Sequence, residues 1–343
     1  MKKPLKAFIL AAGFGTRLRP LTDSCPKVLL PFFGVPLLFL LLEQLAKLDI
    51  EEIFVNGHYL SEQIRDAIKA YPLSKKVSFC HEEQILGTAG PFRANKKELG
   101  ECNLLVMNGD IITDLNLQSL VNKHEHNGAL ATMGLLQNIP PAKTSVWCDH
   151  ENILGFGVLN PSPRKATGEH SFAGAQVLSS EFLRAIPTGP SEVIPLYKQF
   201  IEQGRSISYF VSNPIWFDIG SPDAFFDAHI HTLPLLGQKK FMETFPLQTC
   251  WKKLGFKPIY SDLKKILVNK SWNGPYFSKK DVFFGADTSI GPGVVNLTDY
   301  NEFPDNTQLK NSLLLPGARI QKGDNLEGLI LSGAFRIHRA SIK

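Results

Sequence analysis

Short apolar runs alternate with amphipathic segments from the N-terminus to His231. The apolar runs predict buried strands at residues 7–12, 53–56, 77–80, 104–107, 129–136, 172–178 and 207–211. Apolar side chains recur at helical spacing behind Pro36 and behind Ser61, which is the candidate N-cap of its helix. Further helices are predicted near residues 180–186 and 191–203. This alternation is typical of a mainly parallel sheet flanked by helices. We therefore predict an α/β domain over residues 1–235.

The pattern changes after His231, and a second period begins at Asp287. Related phrases of small-residue turns and apolar steps occur at residues 288–294, 309–320 and 326–337. A coil of a parallel β-helix needs this pattern, because apolar side chains point inward and small residues form the corners. We predict a short, degenerate β-helix over residues 281–343, preceded by a connecting segment over 236–280. An irregular β extension is the alternative.

Composition and charge exclude several classes of protein. The 343 residues are 43% hydrophobic and 20% charged, as in a globular chain of about two domains. The net charge of +5 is spread along the chain, which suits an anionic small substrate better than nucleic acid. Five cysteines without a CxxC pair predict no disulfide framework and no zinc site, and they favour the cytoplasm. The pairs His124/His126 and His229/His231 face apart on a helix, so they predict structural histidines rather than metal ligands.

Neither the start of the chain nor its longest uncharged stretch predicts a membrane segment. The apolar stretch near the N-terminus is short and runs into Arg17 and Arg19 rather than a signal-peptide cleavage site. Residues 28–42 carry no charge, but crossing a bilayer takes about 20 apolar residues and this stretch contains two prolines.

A glycine-rich segment follows the first predicted strand and carries the strongest chemical signal. It reads Gly13-Phe14-Gly15-Thr16-Arg17, and Pro26-Lys27 follows. Glycines at the carboxyl end of a strand let backbone N–H groups approach phosphate oxygens. The dinucleotide fingerprint fails because Leu18 stands where its third glycine belongs, and no Walker sequence is present. The segment therefore predicts a phosphate-binding loop of another kind.

Four further motifs follow in order. They are Glu82-Glu83-Gln84-Ile85-Leu86-Gly87-Thr88, Val106-Met107-Asn108-Gly109-Asp110, Phe172-Ala173-Gly174 and Trp216-Phe217-Asp218-Ile219-Gly220. With the glycine-rich loop they resemble the sugar-1-phosphate nucleotidyltransferases. The resemblance implies a Rossmann-like mixed, mainly parallel sheet flanked by helices, and a C-terminal left-handed parallel β-helix.

The resemblance also implies the reaction, a Mg²⁺ cofactor and the role of each site residue. The phosphate of a sugar 1-phosphate would attack the α-phosphorus of a nucleoside triphosphate, and pyrophosphate would leave. Arg17 and Lys27 would be catalytic, and Asp110 and Asp218 would bind the metal. Substrate binding would involve Gly109 and Gly174. Nucleotide binding would involve Ala11, Ala12, Gly13, Gly15, Thr16, Glu82, Gly87, Thr88 and Asn108.

The sugar pocket departs from the family pattern. The family's sugar-phosphate lysine and its Tyr-Gly are missing, and Arg164 or Lys165 is a candidate replacement for the lysine. In these respects the chain is similar to N-acetylmuramate-1-phosphate uridylyltransferases. The alternative interpretation is that both residues are charged side chains on a mobile loop and do not replace the lysine.

A carboxylate at Glu82 could accept both the N1–H and the N2–H₂ of guanine. We therefore expect GTP as the nucleotide, and together with the β-helix extension the resemblance implies mannose 1-phosphate as the other substrate. The alternatives are a uridylyltransferase for another sugar 1-phosphate, or a catalytically silent regulatory subunit that binds a nucleotide sugar. Beyond these substrates we expect no nucleic-acid or membrane partner, and pairing of copies through the C-terminal extension.

Overall fold

The structure is a computed structural model. It describes residues 3–140, 144–158, 163, 165–255, 258–260, 276–278, 283–284, 287–290, 293–298 and 302–338, and Arg164 lies outside them. The chain forms two compact units. Unit 1 comprises Met1–Phe14 and Gln44–Trp216, and unit 2 comprises Gly15–Glu43 and Phe217–Lys343. The predicted limits at residues 235 and 280 stay a prediction.

The strands, in chain order, are β1 (Leu5–Leu10), β2 (Pro31–Phe32), β3 (Val35–Pro36), β4 (Glu52–Gly57), β5 (Lys76–His81), β6 (Asn103–Asn108), β7 (Ile111–Thr113), β8 (Ala131–Leu136), β9 (Ser145–Cys148), β10 (Ile153–Phe156), β11 (Gly168–Leu178), β12 (Ile207–Ser212), β13 (Trp216–Asp218), β14 (Ile259–Tyr260), β15 (Tyr276–Ser278), β16 (Phe283–Phe284), β17 (Ser289–Ile290), β18 (Val294–Asn296), β19 (Glu302–Phe303), β20 (Gln308–Leu314), β21 (Asn325–Leu331) and β22 (Arg336–His338).

The α-helices are α1 (Leu37–Ala46), α2 (Ser61–Ala70), α3 (Gly90–Ala94), α4 (Lys96–Leu99), α5 (Leu117–Asn127), α6 (Ser180–Ala185), α7 (Val193–Glu202), α8 (Pro222–Thr232), α9 (Lys239–Thr244) and α10 (Leu247–Lys253). Short 3-10 turns lie at Thr16–Leu18, Lys27–Leu29 and Leu233–Leu235. No helix among the described residues is long and apolar enough to cross a membrane.

Unit 1 is built on a mixed sheet with the order β10-β9-β11-β6-β1-β4-β5, and β8 joins β11 to β12. The neighbouring strands β6, β1, β4 and β5 are all parallel, whereas β11 runs antiparallel to β6. The central strands are nearly continuous apolar runs, as expected for parallel strands that are buried on both faces. The predicted sheet flanked by helices is confirmed.

An apolar core fixes the register of this sheet. Phe8 on β1 packs against Phe54 on β4 and Phe92 on α3, with ring centroids 6.2 and 5.0 Å apart. A one-residue slip of β1 would turn these buried side chains to the opposite face. The ends of the central strands are therefore held at one edge of the sheet.

Unit 2 contains an aromatic cluster around the β2–β3 hairpin. The two-residue turn is Phe33-Gly34, and both residues have positive φ, 47° and 77°. This is the pattern of a tight hairpin turn, but it is strained for phenylalanine. His229 Nε2 accepts the Phe33 N–H at 3.2 Å, and the Phe33 carbonyl accepts the Trp251 Nε1–H at 3.0 Å. Phe33 is fully buried, so its contacts offset the strain.

The C-terminal part of unit 2 consists of stacked parallel strands. Tyr276 lies opposite Val294, Val294 opposite Ser312, and Ser312 opposite Leu329, so each coil takes 17 or 18 residues. Parallel coils of this length agree with the predicted repeat, and the handedness stays a prediction. The last predicted phrase does not complete a coil, because β22 turns back antiparallel to β21.

Candidate active site

The carboxyl ends of neighbouring strands in unit 1 carry predicted site residues. β1 and β6 run in parallel, with Leu10 opposite Asn108, and the Gly109 N–H donates to the Leu10 carbonyl at 2.9 Å. The glycine-rich loop and Asp110 therefore leave the sheet side by side. On β11, Ala175 lies opposite Met107, which brings Gly174 beside the end of β6. Ligands bind in open α/β sheets at such an edge.

At this edge of the sheet, the backbone conformation at position 174 requires a glycine. Gly174 has a φ of 85°, and a Cβ there would lie 2.5 Å from Ile111 Cγ1. The carbonyl of the preceding residue, Ala173, accepts the Trp216 Nε1–H at 2.9 Å. Because a side chain at position 174 would be both strained and crowded, the loop needs glycine there.

Two neighbouring strands carry a buried polar relay at the same edge. Asn56, near the end of β4, accepts the Ala11 N–H through Oδ1 at 2.6 Å. Its Nδ2 donates to Glu82 Oε1 at 2.6 Å. Glu82 Oε2 accepts the Leu86 N–H at 3.0 Å. Asn56 and Glu82 are only 1% and 4% exposed, so solvent screens these bonds little.

The predicted base-reading loop, residues 82–88, is held against the segment before α7. A Cβ on Gly87, whose φ is 80°, would lie 2.5 Å from the Ser191 carbonyl oxygen. The Thr88 hydroxyl donates to Glu192 Oε2 at 2.5 Å and accepts the Val193 N–H at 3.0 Å. Thr88 and Gly87 therefore shape this loop through contacts within the protein.

Unit 2 carries the remaining predicted residues. Gly15 has a φ of 64° and caps the 3-10 turn that contains Thr16 and Arg17. Its carbonyl accepts the Thr22 hydroxyl at 2.8 Å. A Cβ placed on Gly220 would lie 3.3 Å from Asp218 Oδ1 and 3.4 Å from Arg17 Nη2. The structure thus brings the Arg17 guanidinium and the Asp218 carboxylate around one glycine.

Lys27 begins the next 3-10 turn and is half-buried, whereas Arg17 and the candidate replacement cation Lys165 are exposed. Burial raises the pKa of the Cys25 thiol to about 11, so it stays protonated at neutral pH. Thiolate, and not thiol, is the nucleophilic form of cysteine. The turns of unit 2 thus carry the predicted cations Arg17 and Lys27, and the thiol of Cys25 is not activated.

Two predicted structural histidines are buried. The His124 Nδ1 lies 3.0 Å from the Thr132 hydroxyl, and the His229 Nδ1 lies 2.9 Å from the Phe225 carbonyl. Burial lowers the pKa of each histidine to about 4. Within the described ranges, no group of three or more His, Cys, Asp and Glu residues could hold a metal.

Two residues at the site, Asn56 and Glu192, were missed by sequence reasoning. Asn56 ends an apolar run, as Asn108 does, and a polar residue at that position was the available signal. Glu192 gives no local signal, because its partner Thr88 is distant in the sequence.

Comparisons with known proteins agree with this geometry. Residues 6–147 match the model of the Nucleotidyl transferase family. A mannose-1-phosphate guanyltransferase of Debaryomyces hansenii is 29% identical over 243 residues, which are 69% of this chain and 67% of that protein. A putative mannose-1-phosphate guanyltransferase of Sulfolobus acidocaldarius is 28% identical over 239 residues, which are 69% of this chain and 66% of that protein. The chain thus matches about two thirds of the length of these relatives.

Solved structures share the fold. A putative glucose-1-phosphate thymidylyltransferase from Bacillus anthracis, in complex with a sucrose, covers 66% of this chain and 94% of its own, with a TM-score of 0.56 and 19% identity. HddC from Yersinia pseudotuberculosis, complexed with GMP-PN, covers 65% of this chain and 97% of its own, with a TM-score of 0.54 and 23% identity. The predicted Rossmann-like fold is confirmed.

Proposed function

We propose that this chain is a member of the nucleotidyl transferase family, whose model matches residues 6–147, and that it transfers a nucleoside monophosphate from a nucleoside triphosphate to a sugar 1-phosphate. The products are a nucleoside-diphosphate sugar and pyrophosphate. The observation that carries the proposal is the convergence of Ala11, Asn108 and Gly174 at one edge of the unit 1 sheet. That edge brings the start of the glycine-rich loop beside a carboxylate, Asp110, and a carboxylate is the kind of ligand that the metal of a bound triphosphate requires.

The proposed chemistry depends on positioning and on charge. The sugar-phosphate oxygen attacks the α-phosphorus in line, and the bond to the leaving pyrophosphate breaks. Arg17 is exposed in the middle of its 3-10 turn, and we assign its guanidinium to the β and γ phosphates. Lys27 is assigned to the phosphates around the transferred group. Gly109 and Gly174 are assigned to the sugar substrate.

We assign Mg²⁺ to Asp110 and Asp218, and the donor chemistry fits this ion. Both are carboxylates, and Mg²⁺ prefers hard oxygen ligands and completes its shell with waters and substrate phosphates. When bound, the ion supplies charge neutralisation on the triphosphate. Asp218 Oδ1 is buried, and a buried carboxylate oxygen suits a cation that prefers hard oxygen ligands.

For the substrates we propose GTP and mannose 1-phosphate. The named guanyltransferase relatives support this choice. Glu82 as the guanine contact stays a prediction, because each of its carboxylate oxygens already accepts one hydrogen bond. Transfer of uridylate to another sugar 1-phosphate is the second candidate, favoured by the missing sugar-phosphate lysine. A cytoplasmic location and pairing of copies through the coils belong to the same proposal.

A matrix of substrates tests the proposal with the full chain. GTP, UTP, ATP and CTP are each combined with mannose, glucose and N-acetylmuramate 1-phosphates, with and without Mg²⁺, and pyrophosphate release is measured. We expect the highest kcat/KM for GTP with mannose 1-phosphate and Mg²⁺. Binding of nucleotide sugars without pyrophosphate release from any pair would instead indicate a silent regulatory subunit.

Arg17→Ala sharpens this test. It should lower kcat/KM by about a hundredfold. Binding of the nucleotide-sugar product should change less, because the product lacks the leaving phosphates. Arg65→Ala, which removes a half-buried arginine paired with Glu62 on α2, is the matched control. Equal losses in catalysis and product binding would contradict the assigned role of Arg17.

A further inference from the structure

The relay of Asn56 and Glu82 connects two loops through a buried pair of side chains. Ala11 is the first residue after β1 and begins the glycine-rich loop. Leu86 lies in the loop that follows β5 and directly precedes Gly87. The Ala11 N–H donates to Asn56, and the Leu86 N–H donates to Glu82. The bond between Asn56 and Glu82 closes the connection.

The side chain at position 56 must accept one hydrogen bond and donate another. The Ala11 N–H needs an acceptor, whereas the Glu82 carboxylate needs a donor. A side-chain amide carries both on one flat group. Aspartate would accept from Ala11 but face Glu82 with a second carboxylate, and leucine would leave both partners unsatisfied. Because the relay is buried, each unsatisfied group is costly.

The relay is also anchored from the backbone. The Glu82 N–H donates to the Gly57 carbonyl at 2.9 Å, and the Glu82 carbonyl lies 2.9 Å from His58 Nδ1. Glu82 is therefore fixed at its main chain as well as at its carboxylate. The relay therefore fixes the Ala11 N–H and the Leu86 N–H relative to each other.

We propose that Asn56 is a positioning residue of the nucleotide site, which sets the phosphate-binding loop and the base-binding loop relative to each other through Glu82. The inference rests on the proposed function, because it takes those two loops as the nucleotide-binding loops. Fixing both loops before nucleotide binds lowers the ordering cost of binding. Asn56 touches no substrate in this scheme and acts through Ala11 and Glu82.

Exchanging the two side chains provides the test. In the double variant N56D/E82Q, the carboxylate introduced at position 56 accepts hydrogen bonds from the Ala11 N–H and from the new amide at position 82. The oxygen of that amide accepts the Leu86 N–H. Every hydrogen bond of the relay is restored, with carboxylate and amide exchanged. The single change N56D places two carboxylates at hydrogen-bond distance. The single change E82Q leaves one donor opposite another donor.

Dissociation constants for GTP and UTP, melting temperatures and kinetic constants are measured for all variants. We expect N56D, E82Q and Asn56→Leu each to weaken binding of UTP by about tenfold or more. The KM for the sugar 1-phosphate should stay within about threefold of the original value. The double variant should return the UTP constant to within about threefold of the original. Asn56→Ser replaces Asn56→Leu if the latter does not fold.

Tyr209→Phe is the matched control. It removes a hydrogen bond of 2.6 Å to the Asp149 carbonyl within the same unit, on β12, which lies on the opposite side of the sheet from β4 and β5. It should lower the melting temperature without changing nucleotide binding. Restored melting temperature without restored UTP binding in the double variant would overturn the proposal, as would single variants that bind both nucleotides normally.

The readouts separate this proposal from the proposed function. A loss confined to GTP in the double variant, with UTP binding restored, supports the relay and also supports base reading by Glu82. Nucleotide binding without transfer by the original protein overturns the proposed reaction, while the relay is judged by the UTP constants. An original protein that binds neither nucleotide overturns both.

Discussion

The predicted site residues divide between the two units, and a buried hydrogen-bonded pair in unit 1 contrasts with an aromatic cluster in unit 2. Unit 1 carries the start of the glycine-rich loop, Asn108, Gly109, Asp110, Gly174 and the loop at residues 82–88. Unit 2 carries Gly15, Thr16, Arg17, Lys27 and Asp218. The glycine-rich segment changes unit between Phe14 and Gly15. One continuous sequence motif is therefore supported from two separate cores.

Unit 1 fixes its loops mainly with buried hydrogen bonds, whereas unit 2 fixes its hairpin with aromatic packing. The Asn56 relay supports the first, and the rings of Phe32, Phe33, His229 and Trp251 surround the second. Hydrogen bonds are directional, so exchanging a donor for an acceptor disrupts the first kind of support. Packing depends on volume, so truncation disrupts the second.

The largest effect is expected at the two carboxylates assigned to the metal. Asp110→Asn and Asp218→Asn should each lower turnover by about a thousandfold, which is about 4 kcal/mol of barrier, because each removes charge from the proposed Mg²⁺ site. Steady-state kinetics across a Mg²⁺ titration measure the effect, with Asp66→Asn on α2 as a surface control. Near-normal turnover of either variant would remove that residue from the metal assignment.

The aromatic support of unit 2 comes next. Trp251→Ala should lower the free energy of unfolding by about 3–4 kcal/mol, because it removes a buried ring and the hydrogen bond to Phe33. Hydrogen exchange over residues 15–43 should rise in this variant. Trp147→Ala is the control in unit 1, where the half-buried indole donates to the Gly157 carbonyl at 2.8 Å. Unchanged exchange over residues 15–43 would contradict the anchoring role.

The buried histidines allow the two units to be compared by pH. Burial lowers the pKa of His124 in unit 1 and of His229 in unit 2 to about 4, against 6.5 when exposed. The unfolded chain binds more protons between these values, so stability falls as pH drops from 6.5 to 4, by up to about 3 kcal/mol per histidine. Above the exposed value the full stability is present.

Denaturant unfolding at several pH values measures this loss. His124→Gln and His229→Gln should each make the free energy of unfolding less dependent on pH in that window. His229 should have the clearer effect on the hairpin, because its neutral Nε2 accepts the Phe33 N–H and a protonated ring could not. If the free energy of unfolding depends on pH equally in a variant and in the original protein, the replaced histidine does not cause the loss of stability at low pH.

The smallest effect concerns two threonines that hold loops in different units. Thr88→Val and Thr22→Val keep the shape of the side chain but remove hydroxyls that bond Glu192 and the Gly15 carbonyl, respectively. Each should cost about 1 kcal/mol of unfolding free energy, measured by denaturant titration. Thr167→Val, at an exposed residue outside both loops, is the control. An unchanged free energy of unfolding in Thr88→Val would mean that the Thr88 hydroxyl does not stabilise the loop and that the close contacts of Gly87 shape it.

Most of the unit 1 elements could be predicted, because their signals are local. The strand predicted at residues 104–107 is β6 (Asn103–Asn108), and the strand predicted at 207–211 is β12 (Ile207–Ser212). The helix behind Ser61 also exists, but its N-cap is Leu60 in a left-handed conformation rather than Ser61. Cap residues were harder to predict because hydrophobic spacing does not determine the backbone angles at a helix start.

Several elements escaped prediction because their stability is not local. α9 and α10 lie in the segment interpreted as a connection, and α10 carries Trp251, whose partner Phe33 lies far away in the sequence. The β2–β3 hairpin places phenylalanine at positive φ, which propensity disfavours. Only the surrounding aromatic cluster makes that conformation favourable.

The sequence by itself determined the sheet, the repeat of the coils and the identity of the candidate site residues. These depend on apolar periodicity and on short motifs whose chemistry is carried by neighbouring residues. Only the tertiary structure decided that Asn56 joins Ala11 to Glu82, that Thr88 meets Glu192, and that residues 15–43 share a compact unit with residues 217–343. Such pairings are not local, because each partner satisfies a donor or fills a volume that exists only after the strands have paired and the core has closed.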